Sequence, residues 1–192
     1  MPWSKRVAAG LVALLAGGFL LSAAPAPEGD YEAGIEKWRQ EREAGLRSDT
    51  GWLTVAGLFW LKEGPNRFGT DPTAEIVLPE GTAPEFAGVF EHKDGRTRVR
   101  VESGATVTSS GRTVTEMELQ NDSSGEPTLL ALGDLTLFVI ERDGKHGIRL
   151  KDKNSKRLKE FTGLKWYPVQ PGYRIAGTWT EYDPPKQIPV VN

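Results

Sequence analysis

Apolar and polar positions alternate over short runs along most of the chain, and only one early segment recurs at helical spacing. There Tyr31, Ile35, Trp38 and Leu46 fall near one helical face, while Glu32, Glu36, Lys37, Arg39, Glu41 and Glu43 fall largely elsewhere. With Asp30 placed to cap it, the pattern predicts a helix over about 31–46, with Arg42 on the apolar stripe. The densest apolar run after residue 24, Gly-Trp-Leu-Thr-Val-Ala-Gly-Leu-Phe-Trp-Leu-Lys-Glu-Gly at 51–64, reads as two short buried strands bent at Gly57. Residues 75–78, 86–91, 96–102, 106–109, 113–119, 128–132, 135–140, 148–150 and 173–182 follow as strands. Asp94-Gly95, Ser110-Gly111 and Asp143-Gly144 supply hairpin turns between several of them. Many short strands with one leading helix indicate a mainly β chain. The expected form is an antiparallel β-sandwich or a partly open barrel, with one N-terminal amphipathic helix. The expected core is Trp52, Leu53, Val55, Leu58, Phe59, Ile76, Leu78, Val99, Val101, Leu137, Val139 and Ile148.

Residues 1–24 read as a secretory signal: Lys5 and Arg6, an apolar stretch over 7–21, then Ser22-Ala23-Ala24 for cleavage. An uncleaved anchor is the alternative, and it is the only membrane association the sequence suggests. Residues 25–29 form a linker, and 30–192 a single β-rich domain. The expected location is periplasmic or secreted. Without Lys5 and Arg6, the 24 basic residues become 22 against 26 acidic ones, a net charge of −4. That balance disfavours nucleic acid as a partner. The absence of cysteine excludes disulfides, thiolate metal sites, a Cys nucleophile and a lipidated Cys. His92 and His146 are the only histidines, too few for a three-His zinc site, and no H-E-x-x-H occurs. No metal or cofactor is expected.

The stretch over 51–72, GWLTVAGLFWLKEGPNRFGTDP, resembles the opening of an exported bacterial family known only as a domain of unknown function. The resemblance continues through Ile76-Val77-Leu78-Pro79, Leu132-Gly133, Ile148-Arg149 and Phe161-Thr162-Gly163-Leu164-Lys165-Trp166-Tyr167-Pro168. That family usually continues into further motifs, so the chain looks C-terminally truncated relative to it. Residues 186–192 are then expected to be exposed or poorly ordered, as an unpaired edge. The family supplies no catalytic residues to transfer. At the level of fold, Phe68-Gly69-Thr70-Asp71, Ile76-Val77-Leu78-Pro79 and Leu132-Gly133-Asp134-Leu135 are similar to the strand order of forkhead-associated sandwiches. Such domains read phosphothreonine with an Arg after the Gly and a Ser in the next loop. Thr70 and Pro84-Glu85-Phe86 stand there instead, so the likeness implies the sandwich without phosphopeptide recognition.

Candidate chemistry is sparse. No G-x-S-x-G elbow is present, and both histidines read as exposed hairpin residues. Glu63, Asp71, Glu75, Asp152 and Asp183 could form a hydrolytic carboxylate pair, although turn carboxylates commonly bind nearby backbone amides. Trp166 and Tyr167, with Arg67 and Arg174 as anion partners, form the preferred ligand-binding group. Arg67 could equally clamp a turn carbonyl. The reading is a β-rich binding or envelope-associated module for a small ligand, a peptide or a glycan. The alternative is a hydrolase using carboxylates, its site completed by a further C-terminal region.

Overall fold

The computed structural model describes residues 28–188. The leader and most of the linker lie outside them. The described chain divides into two units. One comprises residues 35–169; the other joins residues 28–34 to residues 170–188.

The larger unit is a two-sheet β-sandwich. Its strands are β1 (Val55–Trp60), β2 (Gly64–Gly69), β3 (Ile76–Val77), β4 (Gly88–Lys93), β5 (Arg96–Val101) and β6 (Val107–Ser109). They continue with β7 (Arg112–Val114), β8 (Glu116–Leu119), β9 (Leu130–Leu132), β10 (Leu135–Arg142) and β11 (Lys145–Asp152). A six-stranded sheet runs β1-β11-β10-β9-β6-β7, and a five-stranded sheet runs β3-β2-β4-β5-β8. Two separate sheets, rather than a closed barrel, result. Each predicted dipeptide turn joins a hairpin, with Asp94, Ser110 and Asp143 at φ of 50°, 49° and 51° before their glycines.

Alternation decides the core. Phe68, Phe90, Val99 and Leu119 of one sheet meet Val107, Leu130, Leu137, Val139, Ile148 and Leu150 of the other. Phe68 and Phe90 stack at 4.7 Å between ring centroids. Gly69 is required by a chain crossing: a Cβ there would lie 2.0 Å from the Glu85 carbonyl oxygen.

The run over 51–64 departs from its expectation. Trp52 to Thr54 form a 3-10 turn, and β1 follows as a single strand at the edge of the six-stranded sheet. Leu58 and Trp60 point away from the buried face of this edge strand and are exposed, as is Trp52 in the turn, whereas Leu53, Val55 and Phe59 are half-buried. Thr54, the polar residue, is the fully buried one, and its hydroxyl donates to Gly51 O at 2.7 Å. The expected bend near Gly57 is present as a register shift between Val55 and Gly57 against β11.

α1 (Glu28–Arg47) starts earlier than expected, so Asp30 lies inside it. Its half-buried positions are Tyr31, Ile35, Arg39, Glu43 and Leu46, whereas Trp38 and Arg42 are exposed. Two charged residues occupy that face because the segment after α2 (Lys156–Glu160) offers polar partners. Glu43 accepts from Leu164 N at 2.9 Å and Trp166 Nε1 at 3.2 Å, and Arg39 donates to Tyr167 O at 2.6 Å. In the smaller unit, residues 171–173 make one 3-10 turn, and residues 174–182 join no sheet, unlike the strand expected over 173–182. Residues 186–188 are exposed.

Candidate functional site

The strand register brings an unusual set of residues together on the outer face of the six-stranded sheet. In β11, Ile148 and Leu150 point inward, so Arg149 and Lys151 point outward. Arg149 is opposed by Phe138 on β10 and by Leu58 on β1. Lys151 is opposed by Thr136 and Val55. The bulge in β1 sets this pairing. Val55 pairs with Lys151 and Gly57 with Leu150, so one extra residue turns Val55 onto the outer face while Phe59 stays inward.

These residues border a hollow of about 220 Å³ with Phe138, Ile140 and Val55 as apolar lining and Trp52 and Thr50 at one side. Trp52 is 67% exposed, and the Arg149 guanidinium lies 5.9 Å from its ring centroid. Lys151 Nζ lies 5.7 Å from the Phe138 ring centroid and donates to Thr50 O. Burial pushes the Lys151 ammonium below the usual lysine range, and the neighbouring Arg149 charge pushes it the same way. The third cation, Arg142, is neutralised by Asp122, with Nη2 2.8 Å from Oδ2 and Nη1 3.0 Å from Oδ1. Arg142 holds the Asp122 carboxyl below its ordinary range, and the Glu141 amide adds to this. Among the described ion pairs, neither Arg149 nor Lys151 has a carboxylate partner.

The wall carrying Trp52 is tied down from β11 and beyond. Lys151 holds Thr50 O, Lys153 pairs with Asp49 at 3.1 Å, and the Ser155 hydroxyl donates to Leu53 O.

The two histidines are buried, contrary to the exposed hairpin positions expected of them. His92 shares its parity with Phe90 on β4, and His146 shares its parity with Ile148 on β11, so both face into the sandwich. Their rings meet edge to face at 5.0 Å. His92 Nδ1 lies 3.0 Å from Thr97 Oγ1. His146 Nε2 lies 3.3 Å from Glu141 Oε2 and 3.1 Å from Asn121 Nδ2. Hydrogen bonding to His146 holds the Glu141 carboxyl below its usual range. Asn121 Oδ1 accepts from Ser123, which makes this cluster the anchor of the loop carrying Asp122.

The residues favoured from sequence occupy three settings. Arg67 is a clamp: its amide and Nε bind Glu75, and its Nη2 donates to Thr73 O at 3.0 Å. Trp166 packs edge to face on Trp38 at 5.4 Å, with Arg39 5.3 Å from its ring centroid. Tyr167 is 87% exposed. Arg174 belongs to the smaller unit, 5.5 Å from the Tyr31 ring centroid. Trp166 and Tyr167 are thus neighbours, and Arg67 is bound to its own turn. The carboxylates are also locally engaged: Asp71 accepts from Thr73 N, Glu75 from Arg67 and Asp152 from Asn154 N. Glu63 is an exposed side chain 4.0 Å from His92, and Asp183 precedes a cis proline in the smaller unit. Among the described residues no group of three His, Asp or Glu is arranged to hold a metal, and no helix is long and apolar enough to cross a membrane.

The outer-face set had a signal in the sequence that periodicity alone obscures. Phe138 and Ile140 make β10 apolar on both faces, which marks an outer face with a cover or a ligand rather than bare solvent.

Solved structures with a similar arrangement are forkhead-associated domains. One, from a study of phosphothreonine-dependent FHA interactions, is 15% identical, with a TM-score of 0.35, covering 49% of this chain and 92% of that one. The N-terminal FHA domain from EssC, a component of the bacterial Type VII secretion apparatus, is 14% identical, with a TM-score of 0.38, covering 49% and 45%. The FHA-2 domain of a Mycobacterium tuberculosis ABC transporter is 22% identical, with a TM-score of 0.34, covering 46% and 77%. No protein-family model and no curated protein matches the sequence.

Proposed function

We propose that this β-sandwich is an exported binding module whose ligand seats in the hollow on the outer face of the six-stranded sheet. Two cations without carboxylate partners, set over an apolar lining, carry this reading. A sheet face exposed only to water has no reason to place Phe138 outward, or to set Arg149 against Phe138 and Leu58 and Lys151 against Val55 across the strands. A hollow with apolar lining and a few convergent polar groups is the usual form of a small-molecule site. The locally engaged carboxylates favour binding over carboxylate hydrolysis. Export is supported by the charged and then apolar pattern of residues 1–24.

The test is a titration of labelled protein with small aromatic and aliphatic compounds, neutral, anionic and cationic. Saturable movement of the Trp52 indole resonance and of the Phe138 and Lys151 amides by at least one compound is expected, with Trp166 unmoved. If every compound leaves Trp52 and Phe138 in place, the site is wrong. Export is checked separately by the N-terminus of protein recovered from the periplasm or medium. A start between residues 24 and 26 is expected, and an intact Met1 on cytosolic protein alone overturns it.

A further inference from the structure

We infer that the ligand of this hollow is a small aromatic monocarboxylate, its carboxylate bridging Arg149 and Lys151 and its ring lying on Trp52 and Phe138. This deepens the binding reading above and rests on it.

Charge comes first. Arg149 and Lys151 are two residues apart on one strand and share one face, so their charges repel across a partly desolvated surface. The charged groups that border the hollow with Lys151 are Arg149, Arg142 and Asp122. Arg149 lies on its own strand, and Arg142 and Asp122 form a closed pair at the far side of the hollow. Thr50 supplies only a carbonyl, and Asp49 beside it is turned to Lys153. Val55 and Thr136, the cross-strand partners, carry no charge. The Thr50 carbonyl and the Phe138 and Trp52 rings are neutral partners, so among the described ion pairs no carboxylate offsets the repulsion, and an anion would. A guanidinium and an ammonium side by side present N–H donors to both oxygens of a planar carboxylate.

Size and shape narrow the class. The hollow, at about 220 Å³, is smaller than the roughly 300–1,000 Å³ of sites for drug-sized molecules. It suits one ring and one acid group. Beside the charged groups and Thr50 the border is Val55, Phe138, Ile140 and Trp52, and the exposed Trp52 indole offers a flat face. A sugar would set hydroxyls against Phe138 and Val55, where no polar side chain answers them. A phosphate dianion would ask for more donors than two unpaired cations supply.

The experiment uses the full chain and three kinds of probe: benzoate and phenylacetate, their uncharged and cationic counterparts benzyl alcohol and benzylammonium, and inorganic phosphate. The acids should bind saturably and move Trp52. Arg149→Met and Lys151→Met should each weaken them by about tenfold or more, as expected for loss of a charged hydrogen bond. Lys151→Arg should retain binding. Affinity of the unsubstituted protein should fall as rising pH removes the Lys151 proton, at a lower pH than for an ordinary lysine because burial disfavours its charged form, and Lys151→Arg should remove that fall. Benzyl alcohol or benzylammonium binding as tightly at Trp52 would overturn the acid while keeping the site. Phosphate binding without the aromatic acids would overturn the ring. No movement of Trp52 by any probe would overturn both the ligand class and the site. Circular dichroism of each variant separates loss of binding from loss of folding.

Discussion

The outer faces of the two sheets are built on the same alternation yet treat charge in opposite ways. On the five-stranded sheet, Glu91 opposes Arg98 across β4 and β5, and Arg98 in turn opposes Glu118 and binds Glu116 at 2.9 Å. Around Arg98 opposite signs face each other and the surface neutralises itself, although at the hairpin end Lys93 opposes Arg96. On the six-stranded sheet the outward cations of β11 face Phe138, Thr136, Val55 and Leu58. Strand periodicity fixes which residues face outward, whereas the cross-strand partners decide whether that face is finished or waiting for something to cover it.

Aromatic truncation separates the interior from the open face most strongly. Phe90→Ala, at a fully buried site stacked on Phe68, should cost about 3–5 kcal/mol in a urea titration. Trp52→Ala should change stability by no more than about 0.5 kcal/mol while abolishing ligand binding at the hollow. Equal losses from the two substitutions would erase the distinction between core and open face.

Charge removal gives the next largest contrast. Replacing both Arg149 and Lys151 with Met should leave the denaturation midpoint nearly unchanged, since loss of their mutual repulsion offsets loss of the Lys151 bond to Thr50 O. Arg98→Met should lower the midpoint, because Glu116 and Glu118 lose their partner. A lower midpoint for the double variant would mean that the cations of the open face are already compensated.

Acid titration sharpens the contrast further. The Asp122 carboxyl is depressed on folding, so its stabilising contribution is present above the unfolded-state value of about 3.9 and is lost as pH falls through the lower folded value. The stability difference between the unsubstituted protein and Asp122→Asn should be full at about pH 6 and should shrink as pH falls below about 3.9 toward the lower folded value. A difference independent of pH would show that Arg142 does not hold the carboxylate. The smallest expected effect is at Tyr167. Only its carbonyl is used, by Arg39, so Tyr167→Phe should leave the melting temperature within error.

Much of the sandwich was legible because its signals are local. The Asp-Gly and Ser-Gly turns and the alternation around Val99 and Ile148 depend only on neighbours in the chain. Trp52, Leu58 and Trp60 were misjudged because burial of an apolar run depends on whether its strand is central or at an edge, which no single segment reveals. The histidines misled through their closeness to turns. Counting by twos, back from Ile148 and on from Phe90, puts both in the interior, so parity outweighs proximity to a hairpin. The hollow was missed because it is assembled from four separated segments and depends on a one-residue bulge. Arg67, by contrast, acts as the turn clamp that was one of its two sequence readings.

The segment that carries Trp52 is fastened almost entirely by main-chain oxygens: Thr50 O to Lys151, Leu53 O to Ser155 and Gly51 O to Thr54. Every residue type supplies such an oxygen. The side chain at position 52 is therefore uncoupled from the architecture that holds it, and lineages could exchange it without rebuilding the fold. That position is where selection can retune what the surface prefers in single mutational steps, and a randomised library at that codon would sample new preferences at little cost to folding.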